Sequence, residues 1–432
     1  MLVFADCIEN RKGKMFFDGI AAEELASIFG TPLYVYSERR IRENYRRIHS
    51  AFYRRRKNFR LNFAVKSNNN LTTLNILRSE GAGADCSCPA EIMLARMAGF
   101  ESSRMLYSGN YNTDEELSYG YDSGAIINLD DGPLLERLLR FGKPGVVSFR
   151  INPGTGKGKY EGLVTAGPDA KFGMMEEEAM RAYRRAKGAG IRRFGLHMMS
   201  GSNVLDPEYF PAITERLMDI AGRISSGLGI EFEFIDIGGG FGVPYQEEES
   251  ELPIDEVAQM VVAKFEERIA STRTMGDPAL FIEPGRYIVC DAGVLLASVT
   301  HVKKAVKNFV GCDAGMNTLL RPALYGAYHE ILPAGKMDEA KTIVANVTGQ
   351  ICENTDIMGR DRKLPDLAPG DLLAFLNVGA YGYSMASNYN TRTMPAEAFI
   401  IGGKAYLTRE RETMTDFVRR QIVPPAVMRD EQ

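Results

Sequence analysis

Between residues 61 and 286 short apolar segments alternate with helix-forming ones, and this alternation leaves few architectures open. The strand candidates are NFAVK (62–66), GADCSC (83–88), RMLYSG (104–109), AIINLD (125–130), VVSFRIN (146–152), FGLHMMSG (194–201), FEFIDIGGG (232–240) and ALFIEPG (279–285), eight in all. Helix signals with proper ends separate them. Thr113 and Glu116 form a capping box, Pro133 opens LLERLLRF and Gly142 closes it, and Gly99 follows AEIMLARMA as a carboxyl-terminal cap. In PIDEVAQMVVAKFEERI, Ile254, Val257, Val261, Phe265 and Ile269 recur at helical spacing, giving one apolar stripe that can lie on a sheet. Eight strand–helix units in succession predict a closed parallel (β/α)8 barrel. An open doubly wound sheet would carry a G-x-G-x-x-G turn after an early strand, which is absent. GGGFG at 238–242 has the wrong spacing, and GTGKGKY at 154–160 lacks the Ser or Thr that a P-loop needs.

After about residue 287 the texture becomes β-rich, with VLLASVT, HVKKAVKNFV, KTIVANVTG, DLLAFLNVG and EAFIIGGKAYL separated by turn residues. The expected organisation is therefore an N-terminal stretch, 1–30, whose strands join the β domain, a barrel over 31–286, and an all-β domain, a sandwich or barrel, over 287–432.

Composition narrows the partners. A formal net charge of −4 gives no general attraction to nucleic acid or anionic membrane. The run RRIHSAFYRRRKNFR (46–60) reads as the solvated side of a helix. No apolar stretch is long enough to cross a bilayer, and MLVFADCIENRKGKMFF does not read as a leader, so neither membrane nor nucleic-acid partners are expected. The six cysteines show no C-x-x-C pair or zinc-type spacing, so they read as thiols in a reducing compartment, the cytoplasm, with no metal.

Barrels of this kind carry their chemistry at the carboxyl ends of the strands. Lys66 ends the first candidate strand, Asp85 lies near the end of the second, His197 and Ser200 end the sixth, Gly238, Gly239 and Gly240 end the seventh, and Glu283, Gly285 and Arg286 end the eighth. Successive glycines let backbone N–H groups approach an anion, and the loops after strands seven and eight are the usual phosphate position. A strand-end lysine in partly apolar surroundings is expected to have a lowered pKa and to form an imine with a carbonyl compound. An aldehyde bearing a phosphate satisfies both readings. Pyridoxal phosphate (PLP) is such a molecule, and it needs a carboxylate at its ring nitrogen, for which Glu283 is the candidate.

The motifs FAVKSN, HMMSGSN, IDIGGGFG, EPGR, MNTLLRPALY, CENTD and GAYGYSM, in that order, resemble the fold type III PLP-dependent decarboxylases, most closely their diaminopimelate-decarboxylating branch. The resemblance runs through nearly the whole chain. It implies a PLP barrel plus a β domain and an active site completed across a head-to-tail homodimer. It further implies that Lys66 bonds covalently to the cofactor, that His197 stacks on its ring, and that Asp85 lies in the cofactor site. By the same resemblance Ser200, Gly238, Gly239, Gly240 and the Gly285–Arg286 backbone hold the phosphate, Glu283 meets the ring nitrogen, and Tyr381 contacts PLP or substrate. Arg286, Arg321 and Tyr325 resemble positions that grip the distal carboxylate, and Glu353 the group that receives the distal ammonium. A bidentate arginine plus a carboxylate suits a second amino-acid head group.

The implied reaction is loss of the carboxyl at the D-centre of meso-2,6-diaminopimelate to give L-lysine and carbon dioxide, with Cys352 protonating the carbanion. Cys86 and Cys88 are the better candidates for unreactive thiols. Decarboxylation of carboxynorspermidine, ornithine, arginine or a carrier-bound amino acid, an amino-acid racemase, a non-catalytic PLP-binding protein and a PLP-free imine-forming aldolase are the alternatives. Met198 and Met199 depart from the glycine–serine–glutamine pattern of many relatives. The glycine-rich stretch 152–174 reads as a mobile cover over the site.

Overall fold

The computed structural model describes residues 5–158 and 166–427. All eight expected strands form, as Phe59–Ala64, Gly83–Cys86, Met105–Tyr107, Ile126–Leu129, Val147–Ile151, Phe194–Met198, Phe232–Asp236 and Ala279–Ile282. Each pairs in parallel with the next, and the eighth pairs with the first, closing the barrel. Several strands stop before the motif that follows them. Phe59–Ala64 gives way to a single 3-10 turn, Val65–Ser67, so Lys66 lies just past the ladder.

The helices begin at their start signals, but Pro133–Leu138 stops well before Gly142, and Pro89–Met97 is capped at Ala98, just before Gly99. Asp114–Ser123 begins with the full Thr113/Glu116 capping box and ends at Gly124 in the left-handed region. In Ile254–Ser271 the residues Ile254, Val257, Val261 and Phe265 are buried, whereas Ile269 stays partly exposed near the helix end. The arginine-rich helix Glu38–Tyr53 buries Ile41, Tyr45, Ile48 and Phe52. Its outer arginines meet carboxylates: Arg39 pairs with Glu43, Arg42 and Arg46 with Glu80, and Arg47 with Glu251. Among the described residues no helix is long and apolar enough to cross a membrane.

The chain divides into two compact units whose limits differ from 30/31 and 286/287. The barrel unit comprises Met1–Cys7, Ser37–Gly293 and Asn377–Ser384; the β-rich unit comprises Ile8–Tyr36, Val294–Leu376 and Met385 onward. Residues 377–384 return to the barrel unit through bonds to their backbone. Gly379 N–H donates to Cys290 O (3.0 Å), Asn68 Nδ2 to Gly379 O (3.0 Å) and Tyr381 N–H to Ser67 O (2.8 Å).

The β-rich unit is built around Gly293–Lys303, which pairs antiparallel with Asn308–Cys312 and with Leu372–Phe375. Ala396–Ile401 and Lys404–Arg409 form a hairpin whose two-residue turn, Gly402–Gly403, has both φ angles positive, the geometry that matches strand twist. Of the N-terminal stretch, Ile8–Arg11, Lys14–Phe17 and Ile20–Ala21 make a three-stranded sheet followed by a helix, Ala22–Phe29. Met15 N–H donates to Ala334 O (2.7 Å).

Candidate active site at the strand ends of the barrel

A buried cluster of charged groups occupies the carboxyl ends of the barrel strands. Side chains two apart on a strand share a face. Phe234 and Phe281 stack inside the barrel with centroids 4.5 Å apart, so Asp236 and Glu283, two residues further on, also face inward. Registry then sets the neighbours. Asp236 lies opposite His197 on one side and Phe281 on the other, and the ladder runs on as Glu283 N–H donates to Gly238 O (2.8 Å). His197 Nε2 stands 3.1 Å from Glu283 Oε2, with both residues buried.

Lys66 Nζ lies 2.8 Å from Oδ2 of Asp85, whose side chain is only 1% exposed, whereas the lysine side chain keeps 40% of its surface open. Burial disfavours the ammonium, but the charges of Asp85, Glu283 and Tyr381 outweigh it and push the Lys66 pKa up. This reverses the lowered value expected from sequence, which took no account of the carboxylates from neighbouring strands. Burial pushes Asp85 up, helped by Glu283 and opposed by Lys66. Burial likewise works to raise Glu283, yet His197, Lys66 and Arg150 together bring it below the ordinary value.

A pocket opens beside these groups, lined by Lys66, Met199, Ser202, Asn203, Gly240, Phe241, Glu283, Gly285, Arg286 and Tyr381, with Ala64 below the lysine in sequence. Arg286 is buried, donates to the Tyr245 hydroxyl and lies 4.9 Å from the centroid of the Tyr381 ring. Gly238 and Gly240 have φ of 74° and 94°, which other residues rarely adopt. A Cβ on Gly240 would come within 2.8 Å of Gly201 O, and one on Gly239 would collide with the backbone of Glu283. Ser200 is buried, and its carbonyl accepts from Lys157 N–H (3.1 Å); the serine that lines the pocket is Ser202.

The remaining expected residues belong to the β-rich unit. Arg321 is 2% exposed, with Nε 3.4 Å from His329 Nε2, and Tyr325 is half-buried on the same short helix, Arg321–Tyr325. Cys352 and Glu353 are exposed on a loop pinned by buried Asp356, which accepts from Met316 N–H (2.6 Å) and Ile351 N–H (2.7 Å). The Tyr389 hydroxyl donates to Glu353 Oε1, and Thr355 donates to Oε2 (2.9 Å), holding the Glu353 pKa below its usual range. Cys86 is buried and its thiol is pushed well up by desolvation, while Cys88 is half-buried. None of the six cysteines is in a disulfide. Of the stretch 152–174, residues 159–165 lie outside the described residues; Asn152 ties its flanks by bonding Gly154 N–H and both backbone groups of Gly167.

Sequence reasoning missed Asp236, Arg150, Met199, Ser202 and Asn203. Asp236 was legible in principle, since it shares the inward face of its strand with Phe234. Met199 could not be foreseen, because its sulfur receives the Gly239 N–H (3.1 Å) only once two strand-end loops meet.

Residues 38–290 match the family described as pyridoxal-dependent decarboxylase, pyridoxal binding domain. The chain belongs to this family. It is 46% identical to a diaminopimelate decarboxylase of Methanothermobacter thermautotrophicus over 99% of this chain and 100% of that one. A diaminopimelate decarboxylase of Thermoplasma acidophilum is 40% identical, covering 93% and 95% of the two chains. The crystal structure of the Methanocaldococcus jannaschii diaminopimelate decarboxylase in complex with L-lysine superposes with a TM-score of 0.90 at 35% identity, covering 98% of this chain and 99% of that one.

The cofactor of this family is PLP, and the residues present fit it. Asp85 Oδ1 and His197 Nδ1 are buried without a hydrogen-bond partner, and the pocket beside Lys66 is bounded by Gly240 and Gly285, which put backbone rather than side chain against it. A lysine, a carboxylate and a glycine-walled recess thus share one pocket.

Proposed function

We propose that this chain decarboxylates meso-2,6-diaminopimelate to L-lysine and carbon dioxide with PLP, the last step of lysine formation. The observation that carries the reading is the Lys66–Asp85–Glu283–His197 cluster beside the glycine pocket, in a chain similar over its full length to diaminopimelate decarboxylases.

Bound PLP supplies an electron sink for the charge left when the α-carboxylate departs. The protein's part is to hold and orient. Asp85 holds the Lys66 amine at the pocket wall and would accept the proton that the ammonium loses before the amine acts as a nucleophile. Glu283, kept ionised, would face the ring nitrogen of the cofactor, and His197 would stack on its ring. The backbone around Gly238–Gly240 and Gly285–Arg286, with Ser200 nearby, receives the phosphate; Ser202 and Asn203 line the same wall. Arg286, Arg321 and Tyr325 read the substrate's distal carboxylate, Glu353 its distal ammonium, and Tyr381 contacts PLP or substrate. Cys352 returns a proton to the carbon that lost carbon dioxide. The site is completed by a second copy of the chain in a head-to-tail homodimer, and the enzyme works in the cytoplasm.

The test is to incubate PLP-loaded protein separately with meso-diaminopimelate, ornithine and arginine and to identify the amine released. Lysine from the first alone is the expected result. Turnover of ornithine or arginine with the first untouched would overturn the substrate assignment while leaving the cofactor in place.

A further inference from the structure

Asp236 is completely buried, and its Oδ1 accepts from Gly238 N–H (2.8 Å). Its other oxygen, Oδ2, has no partner, and neither has Oε1 of Glu283. One carboxylate oxygen from each residue and a ring nitrogen of His197 lie within 4.8 Å of one another. Two ionised carboxylates this close in a buried space repel each other strongly, which favours a proton on one of them. The cations nearby are engaged elsewhere. Lys66 pairs with Asp85 at 2.8 Å, and Arg150 stands 4.0 Å from Asp130 with its guanidinium over the Phe172 ring. Among the described residues no lysine or arginine pairs with Asp236 or Glu283, and the one contact of Glu283 with a basic group, His197, is at the opposite oxygen, Oε2. The Asp236 and Glu283 carboxyls are within hydrogen-bonding reach of each other, so a proton on one of them bridges the pair. Burial and the charges of Glu283 and Asp85 raise the proton affinity of Asp236, whereas that of Glu283 is lowered, so the proton belongs to Asp236.

We propose that Asp236 is a positioning residue: it enters the site as a neutral acid and donates its proton to Oε1 of Glu283, keeping that carboxylate ionised and in one orientation for the ring nitrogen of the cofactor. The second half of this statement rests on the PLP reading above; the first half does not. No bond other than the hydrogen bond is made or broken, and the proton stays on Asp236. Asparagine copies the neutral acid atom for atom. Its carbonyl accepts from Gly238 N–H while its amide donates to Glu283. Leucine fills similar space and offers no donor, leaving Glu283 Oε1 buried and unsatisfied.

Infrared difference spectra of the cofactor-free wild-type protein at neutral pH are expected to show the carbonyl band of an un-ionised carboxylic acid that shifts in heavy water and is missing in Asp236→Asn. PLP affinity and the visible spectrum of the bound cofactor should be retained in Asp236→Asn. Asp236→Leu should bind PLP at least roughly ten-fold more weakly than Asp236→Asn and lose kcat with little change in KM, the size expected for removing one donor from a buried charge. Absence of the acid band in the wild type overturns the proposal, as does equal PLP affinity of the leucine and asparagine variants. A stoichiometric metal retained by dialysed wild-type protein also overturns it, because a cation would then replace the proton. Failure of the wild type to bind PLP would defeat the cofactor role of Glu283, while the infrared band, recorded without cofactor, still decides the state of Asp236.

Discussion

Lys66 Nζ is held 2.8 Å from Asp85 Oδ2 by the register of the first two barrel strands, in which Ala64 lies opposite Asp85. The pairing keeps the free amine protonated, because the opposing charge outweighs burial. Removing it should have the reverse effect. In the cofactor-free protein Asp85→Asn should lower the Lys66 pKa, and at neutral pH Lys66 should be methylated by formaldehyde and a borohydride roughly ten-fold faster for each unit of that fall. Peptide mass spectrometry against pH measures it, and an unchanged modification rate would show that Asp85 does not set the charge of Lys66.

Arg321 shares a buried contact with His329, whose Nδ1 bonds to Leu376 O (2.8 Å). A bond to a carbonyl puts the hydrogen on Nδ1, leaving Nε2 as the acceptor that faces the guanidinium. If Arg321 reads the distal carboxylate, Arg321→Ala should raise KM for meso-diaminopimelate roughly ten- to hundred-fold, the range of lost charge-assisted bonds. The visible band of bound PLP should be unaffected. Loss of the band would place Arg321 in the cofactor site instead, and an unchanged KM would remove it from substrate recognition.

The barrel was legible because its signals are local. Apolar runs of strand length, the Thr113/Glu116 box and the stripe through Phe265 each prescribe an element from a few adjacent residues. Lys66, His197 and Glu283 could be placed on one rim because the closed barrel brings all its strand ends together. What stayed hidden depends on pairing between strands. The charge of Lys66 is decided by Asp85 and Glu283, which reach it from other strands of the barrel. The return of Tyr381 to the barrel unit, through its N–H bond to Ser67, has no local signature either. Arg321, Tyr325, Cys352 and Glu353 were nameable only through motif order, since isolated polar residues in a β-rich unit carry no periodicity of their own.

The recess assigned to the phosphate has no room for side chains. Gly239 is followed by Gly240 at φ 94°, and an alanine at 239 would drive its methyl into the Glu283 backbone, displacing the carboxylate as well as the loop. Gly239→Ala should therefore weaken PLP binding by at least about a hundred-fold, combining the strain of overpacking with lost anion contacts. Fluorescence titration of the cofactor-free variant measures this. Retention of wild-type affinity would show that the phosphate lies elsewhere.

A carboxyl that stays protonated when buried imposes a pH dependence on folding. Burial, Glu283 and Asp85 raise the Asp236 pKa in the native protein above its ordinary value, while the Gly238 N–H opposes the rise. Lys66, Arg150 and His197 act on the neighbouring Glu283 and favour its ionised form. Between the ordinary carboxylate pKa and the raised native one, the folded chain holds a proton that the unfolded chain has released. Stability from this group therefore falls as pH rises through that window. Asp236→Asn removes the titration while keeping the hydrogen bonds, so its stability relative to the wild type should increase as pH rises above the ordinary carboxylate range, by at most about 1.4 kcal/mol per pH unit. Denaturant unfolding of the two cofactor-free proteins at several pH values measures the difference; a gap that stays constant, or that narrows as pH rises, would mean that Asp236 is already ionised in the folded chain.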